Sequence, residues 1–240
     1  MSLLAVSRLT KRFGGIVANH DISFEVRPGE LVGVIGPNGA GKSTLFDLVT
    51  GVTPPDAGSV RFEGRTITGL RPDQVSCLGL TRTFQKLRPF PAMTALENVM
   101  IGAFQRTADV ETARAKARQA LESVGLGDRA DAHARALSTG QRKRLELARA
   151  LATSPRLLLL DEVTGGVDQG TIPGLVRLVR DLHARGLALI VIEHNMRVIM
   201  EMAERIIALQ LGEVIADGPP AEIMANPRVI DAYLGASWRA

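Results

Sequence analysis

A chain that contains Gly36-Pro37-Asn38-Gly39-Ala40-Gly41-Lys42-Ser43 has few ways to fold. The segment fits the pattern G-x-x-x-x-G-K-[ST]. The run before it, Leu31-Val32-Gly33-Val34-Ile35, is short and continuously apolar, as in a strand buried on both faces. The residues after it, 42–49, read as a helix. Strand, glycine-rich turn and helix together form a cradle for phosphate. Glycine lets successive N–H groups turn inward toward phosphate oxygens, and the helix presents its positive dipole end to the same point. Lys42 can reach the β- and γ-phosphates, and the Ser43 hydroxyl can ligate Mg²⁺. Gly36, Asn38, Gly39, Ala40, Gly41, Lys42, Ser43 and Thr44 are therefore the candidate phosphate-binding residues.

The remaining chain alternates between strand-like and helix-like segments, which implies an α/β layered fold. Strands are expected at 3–9, 22–26, 31–35, 59–62, 81–84, 157–160 and 187–192, and a hairpin at 205–216 turning at Gly212. Helices are expected at 142–152, 171–185 and 195–203, with two short ones in the tail after Pro219-Pro220 and Asn226-Pro227. Between 94 and 136 the character changes to Ala, Glu, Arg and Gln without a strand-like run. Thr94-Ala95-Leu96-Glu97 has capping-box spacing, and 108–124 reads as a long helix. This stretch is expected to be a helical insertion.

At 240 residues the chain is long enough for a sizeable core. Its longest apolar run, 187–192, is far short of the roughly 20 residues a spanning helix needs, and no secretory signal is visible at the start. The single cysteine, Cys77, excludes an internal disulfide framework. The net charge of +4 comes from scattered basic residues, so an ordinary solvated surface is expected rather than a nucleic-acid partner.

Two further segments carry chemistry. Leu157-Leu158-Leu159-Leu160-Asp161-Glu162 ends a buried strand in paired carboxylates, at the sheet edge where ligands of open α/β folds bind. Asp161 can hold Mg²⁺ through water, and Glu162 can act as a base toward an attacking water; taken alone, the pair also fits a plain acidic turn. Leu137-Ser138-Thr139-Gly140-Gln141 precedes a helix and offers a second anion-ready N-terminus. Taken alone, Ser138 is an ordinary N-cap.

In this order, the three segments resemble those of the ATP-binding cassette (ABC) family, and the likeness covers about residues 3–235. The resemblance implies a P-loop NTPase (RecA-like) core with an antiparallel β subdomain and an inserted α-helical subdomain. The chain would form a single nucleotide-binding domain, 1–240. Its core would be 1–85 and 137–240, its helical subdomain 86–136, and its short C-terminal helices would lie within 219–240. Leu137-Ser138-Thr139-Gly140-Gln141 resembles the family signature, with Ser138, Gly140 and Gln141 as nucleotide contacts. Gln85 resembles the Q-loop glutamine that touches Mg²⁺ and the attacking water. His194 resembles the switch histidine at the γ-phosphate, and Phe13 the aromatic that stacks on adenine. The catalytic set implied is Glu162, His194, Gln85 and Lys42, with Ser43, Gln85 and Asp161 around Mg²⁺. Thr139, Val163 and Gln169 depart from the family pattern, and none is a catalytic side chain.

In that family the phosphate loop of one cassette faces the signature of another, so the resemblance implies ATP sandwiched between two cassettes, identical or related. Thr81-Arg82-Thr83-Phe84-Gln85, the segment 93–99, Glu193-His194-Asn195-Met196 and the tail from Asn226 resemble the ATPase subunits of branched-chain amino acid importers. Systems for urea, amides or lipopolysaccharide export share much of that pattern. The resemblance implies a cytoplasmic ATPase, bound at the inner membrane face through transmembrane permease subunits and serving a solute-binding protein indirectly. Leu87, Phe90 and Met93 would face the permease. The rival classes are a soluble cassette ATPase outside transport, a P-loop kinase and a binding-only regulator.

Overall fold

The computed structural model describes residues 2–85 and 88–234. The chain opens with β1 (Leu4–Phe13), β2 (Ile16–Val26) and β3 (Leu31–Ile35), then α1 (Lys42–Val49). Next come β4 (Ala57–Phe62), β5 (Arg65–Thr66), α2 (Pro72–Cys77) and β6 (Leu80–Arg82). Helices α3 (Ala95–Ala103), α4 (Val110–Ser123) and α5 (Thr139–Ala152) follow without an intervening strand. The βα rhythm returns with β7 (Leu157–Asp161), α6 (Ile172–Ala184), β8 (Ala188–Ile192) and α7 (Met196–Met202). The hairpin β9 (Arg205–Gln210) and β10 (Glu213–Gly218) leads into α8 (Pro220–Ala225) and α9 (Pro227–Leu234).

Two sheets result. The larger has the order β10-β9-β3-β8-β7-β6, parallel except for β10, which pairs antiparallel with β9. The smaller is antiparallel, in the order β2-β1-β4-β5. The fold is α/β, as expected from the alternation.

The apolar runs explain the layers. Successive strand residues point to opposite faces. Leu158 and Leu160 enter the core shared with α3, α4, α5 and α6, whereas Leu157 and Leu159 enter the core shared with α1 and the small sheet. β3 divides likewise, Leu31 and Ile35 to one side and Val32 and Val34 to the other. Both faces of the central strands are thus dry, which is why their sequences do not alternate. Helix α6 buries Leu175, Val176, Leu178, Val179 and Leu182, the stripe expected from its period.

Four local differences from the sequence expectations have physical causes. β1 and β2 run on to a long hairpin whose register shifts and left-handed residues Arg8 and Asp21 break the alternation that marks a strand. β6 ends at Arg82 rather than Phe84 because the Phe84 N–H donates to the Glu146 carboxylate instead of to β7. α5 starts at Thr139, earlier than 142, because Ser138 and Gln141 form a capping box. The short α2 and β5 have too few residues to carry a period.

Gly33 in the middle of β3 is a packing requirement. A Cβ there would meet Ile199 Cγ1 of α7 at 2.8 Å and Ala203 Cβ at 3.2 Å. Gly33→Val is expected to cost about 1–3 kcal/mol through overpacking, read as a lower denaturant midpoint at unchanged slope.

Candidate nucleotide-binding site

The register of the central strands brings the sequence candidates together. Val34 of β3 pairs with Ile192 of β8, and Ile192 pairs with Asp161 of β7, so the three lie in one row across the sheet. The chain leaves that row at Gly36, His194 and Glu162, all on the carboxyl side. A cleft of about 330 Å³ opens there, lined among others by Asn38, Gly39, Ala40, Gly41, Lys42, Ser43, Thr44, Gln85, Glu162 and His194.

The glycine-rich turn is held from below. Gly41 has φ 97°, and a Cβ on it would meet Ala18 O at 2.3 Å, so only glycine fits. The turn of the β9–β10 hairpin supports the loop through Gly212 N–H donating to Ala40 O at 3.1 Å. Lys42 is buried, and its Nζ donates to Gly36 O at 2.6 Å and to Pro37 O at 3.0 Å. Burial pushes its pKa down, while the carboxylates of Glu162 and Asp161 pull it back up.

Glu162 stands at the mouth of β7 with φ 54°, a left-handed backbone that non-glycine residues seldom adopt. Four contacts hold it there. Its N–H donates to Ile192 O at 3.0 Å, its main-chain oxygen accepts Lys143 Nζ at 2.6 Å and the Gly165 N–H at 3.2 Å, and its carboxylate accepts His194 Nε2. A carboxylate and an imidazole thus share a bond inside the phosphate cleft. Asp161 lies deeper. Its Oδ2 accepts Arg82 Nη2 at 2.8 Å, and its Oδ1 is buried without a partner. Burial raises its pKa, and Arg82 opposes that shift.

Two predicted groups lie elsewhere. Phe13 is half exposed at the end of β1 and pairs in register with Ile16; Ile16, Val17 and Ala18, not Phe13, line the cleft. Ser138, Gly140 and Gln141 are at the start of α5 and are not part of the cleft lining. Gly140 is there for close approach, because a Cβ would meet Thr171 Cγ2 at 2.6 Å.

Sequence reasoning missed several supporting groups. Arg82 is buried between the Phe46 and Phe84 rings and bridges Asp161 to Asp47 of α1. Glu193 is buried, with its carboxylate accepting Thr164 N–H at 2.8 Å and Thr164 Oγ1 at 2.9 Å. Tyr233 of α9 accepts the Gly36 N–H on its hydroxyl at 2.7 Å, from 197 residues away. No local pattern announces such long-range partners.

The chain matches the family described as "ABC transporter" over residues 19–165. It also matches "Branched-chain amino acid ATP-binding cassette transporter" over residues 213–238. It is 37% identical to the high-affinity branched-chain amino acid transport ATP-binding protein BraF of Pseudomonas aeruginosa, over 97% of this chain and 98% of that one. The chain belongs to the ABC transporter family. It is 38% identical to the lipopolysaccharide export system ATP-binding protein LptB of Acidithiobacillus ferridurans, over 97% of each. Among solved structures, the ADP conformation of the ABC cassette MJ1267 superposes with a TM-score of 0.89 at 32% identity, covering 98% of this chain and 99% of that one. A dimeric post-hydrolysis cassette, MJ0796 bound to ADP and Pi, gives 0.80 at 30% identity, covering 90% and 98%. The fold is accordingly that of P-loop NTPases, and this ABC cassette is a nucleotide-binding ATPase.

The Tyr233 hydroxyl is the only difference between Tyr233 and its Phe variant. Tyr233→Phe is expected to lower unfolding stability by about 1 kcal/mol, one hydrogen bond's worth, in a urea titration, with the fold retained.

Proposed function

We propose that this ABC cassette is the ATP-hydrolysing subunit of an importer for branched-chain amino acids or related small polar solutes. The carrying observation is the Glu162 carboxylate, bonded to His194 in the cleft that also holds Lys42 and Ser43. Water, nucleophile activation and phosphate binding thereby meet in one place. Full-length similarity to BraF and the match over 213–238 support the solute class. The similar identity to LptB supports a second reading, a cassette for another substrate such as lipopolysaccharide in export.

In this reading Glu162 takes a proton from the attacking water. His194 orients that carboxylate and contacts the γ-phosphate. Lys42 supplies the cation for the β- and γ-phosphates, and the loop from Gly36 to Thr44 supplies N–H donors. Gln85 orients the water. Phe13, outside the cleft lining, packs on the adenine from the exposed end of β1. Ser43, Gln85 and Asp161 are oxygen donors of the hard type that Mg²⁺ takes, and the unpartnered buried Asp161 Oδ1 suits a cation. When bound, Mg²⁺ would neutralise charge on the phosphates.

Ser138, Gly140 and Gln141 are outside the cleft, so in this reading they serve the nucleotide of a second cassette, identical or related. The related dimeric cassette supports that arrangement. Phe90, Ile101 and Phe104 are exposed in or beside α3 and Phe84 is exposed just before Gln85, and together they form the proposed permease-facing surface; Met93 is half-buried, and Leu87 lies outside the described residues. The chain works as a single nucleotide-binding domain with 86–136 as its helical subdomain and the short C-terminal helices closing over the glycine-rich turn. Among the described residues no helix is long and apolar enough to cross a membrane. The proposed location is the cytoplasmic face, reached through the permease subunits, with a solute-binding protein as an indirect partner.

Glu162→Gln keeps the side chain's shape and removes its basicity. Phosphate release is expected to fall about 10²–10⁴-fold, the range of general base catalysis, while ATP still binds and drives dimerisation on size-exclusion chromatography. Near-normal turnover in this variant overturns Glu162 as the base.

A further inference from the structure

Helix α5 carries two charged side chains, three residues apart, whose partners lie in two of the loops that line the cleft. Lys143 is 5% exposed, and its Nζ donates to the main-chain oxygen of Glu162 at 2.6 Å. Glu146 accepts the N–H of Phe84, the residue before Gln85, on Oε1 at 2.9 Å. Residues i and i+3 share a helix face, so a single face of α5 grips the Glu162 turn and the Gln85 loop together.

Neither side chain is what helix packing alone would choose. Their neighbours Leu145, Leu147 and Ala148 fill the core without polar atoms. A buried ammonium must find an oxygen, and Lys143 finds the one that fixes the left-handed peptide of Glu162. A backbone in that region persists only where its surroundings over-determine it. Of the groups holding Glu162, Ile192 and His194 come from β8 and the turn after it, and the Gly165 N–H from the turn that Glu162 itself opens; Lys143 alone comes from another element, α5. The same helix begins at Ser138, its N-cap. A continuous helix of 14 residues moves nearly as a rod, so displacement at its Ser138 end reaches Lys143 and Glu146 in little more than two turns.

We propose that Lys143 and Glu146 are positioning residues that link the Ser138 end of α5 to Glu162 and Gln85. A nucleotide of the second cassette, touching Ser138, thereby sets the base and the water-orienting glutamine in this chain's own cleft. The proposal rests on the reading of Glu162 as base and of Ser138 as a contact to the second cassette.

The test compares Lys143→Met, Lys143→Arg, Glu146→Ala and Glu146→Gln in the full chain, with Glu162→Gln alongside. Phosphate release gives kcat and KM for ATP, and size-exclusion chromatography reports ATP-driven dimerisation. Lys143→Met and Glu146→Ala are expected to lose about tenfold or more in kcat, with KM within about twofold and dimerisation intact, the signature of a lost transition-state arrangement. Lys143→Arg still donates and Glu146→Gln still accepts, so each is expected to recover most of the rate. Wild-type kcat in Lys143→Met and Glu146→Ala overturns the proposal. So does parallel loss of KM, dimerisation and melting temperature, or failure of the conservative pair to recover. If Lys143→Met does not fold, Glu146→Ala decides on the same criteria. Full hydrolysis by Glu162→Gln overturns the base and the proposal with it; an inactive Glu162→Gln beside an unimpaired Lys143→Met and Glu146→Ala overturns the proposal alone.

Discussion

The site depends on three parallel strands stopping at the same level. β3, β8 and β7 are neighbours, and their register sets Val34, Ile192 and Asp161 in one row. Every residue of these strands is buried, so a one-residue slip would exchange all their side chains between two already filled cores. The loops that follow must therefore begin at a common height. Gly36, His194 and Glu162 meet because the strands beneath them cannot move relative to one another.

Above that row the structure spends stability on charge. Lys42, Lys143, Asp161 and Glu193 are all nearly inaccessible. A buried ion needs a partner, and each of these has one: loop carbonyls for Lys42, the Glu162 peptide for Lys143, Arg82 for Asp161 and Thr164 for Glu193. Such contacts are weak arguments for stability, since apolar replacements of equal volume often fold as well. Their value is geometric, because losing one partner strands the other charge and the arrangement tolerates few alternatives. Arg82 illustrates this, tying the start of the Gln85 loop to the helix that follows the phosphate turn.

How far the sequence could be read follows from the range of each interaction. β3, α1, β7, β8, α6 and the β9–β10 hairpin were legible because a continuous apolar run, a helical period or a glycine turn marks each of them locally. The phosphate-loop residues and Glu162 were legible for the same reason, each sitting at a strand end inside a short motif, whereas Gln85 and His194 were reached only through the family resemblance. The β1–β2 hairpin was half hidden, because its bulges replace the period that would announce it. Arg82, Glu146, Lys143 and Tyr233 had no local mark. Each acts through a partner between 19 and 197 residues away, chosen by the tertiary fold and not by neighbours in the chain. Phe13 was reached only through the resemblance; β1 runs past the expected strand end and places this residue outside the cleft lining.

The N-terminus of α5 shows how one residue can satisfy a local and a distant requirement at once. Ser138 Oγ accepts the Gln141 N–H at 3.3 Å, and Gln141 Oε1 accepts the Ser138 N–H at 2.9 Å. A hydroxyl has two acceptor sites and one donor. The cap uses an acceptor site only, so the O–H stays free to donate to a phosphate oxygen. The cap also holds the hydroxyl in the direction of the helix dipole, which favours an anion there. In the proposed dimer the serine therefore binds the opposite nucleotide without uncapping its own helix. A cap of this kind is worth about 1 kcal/mol locally, and a charge-assisted bond to phosphate about 1.5–3 kcal/mol. The two add instead of competing, so closure onto phosphate leaves α5 intact to carry the displacement toward Glu162.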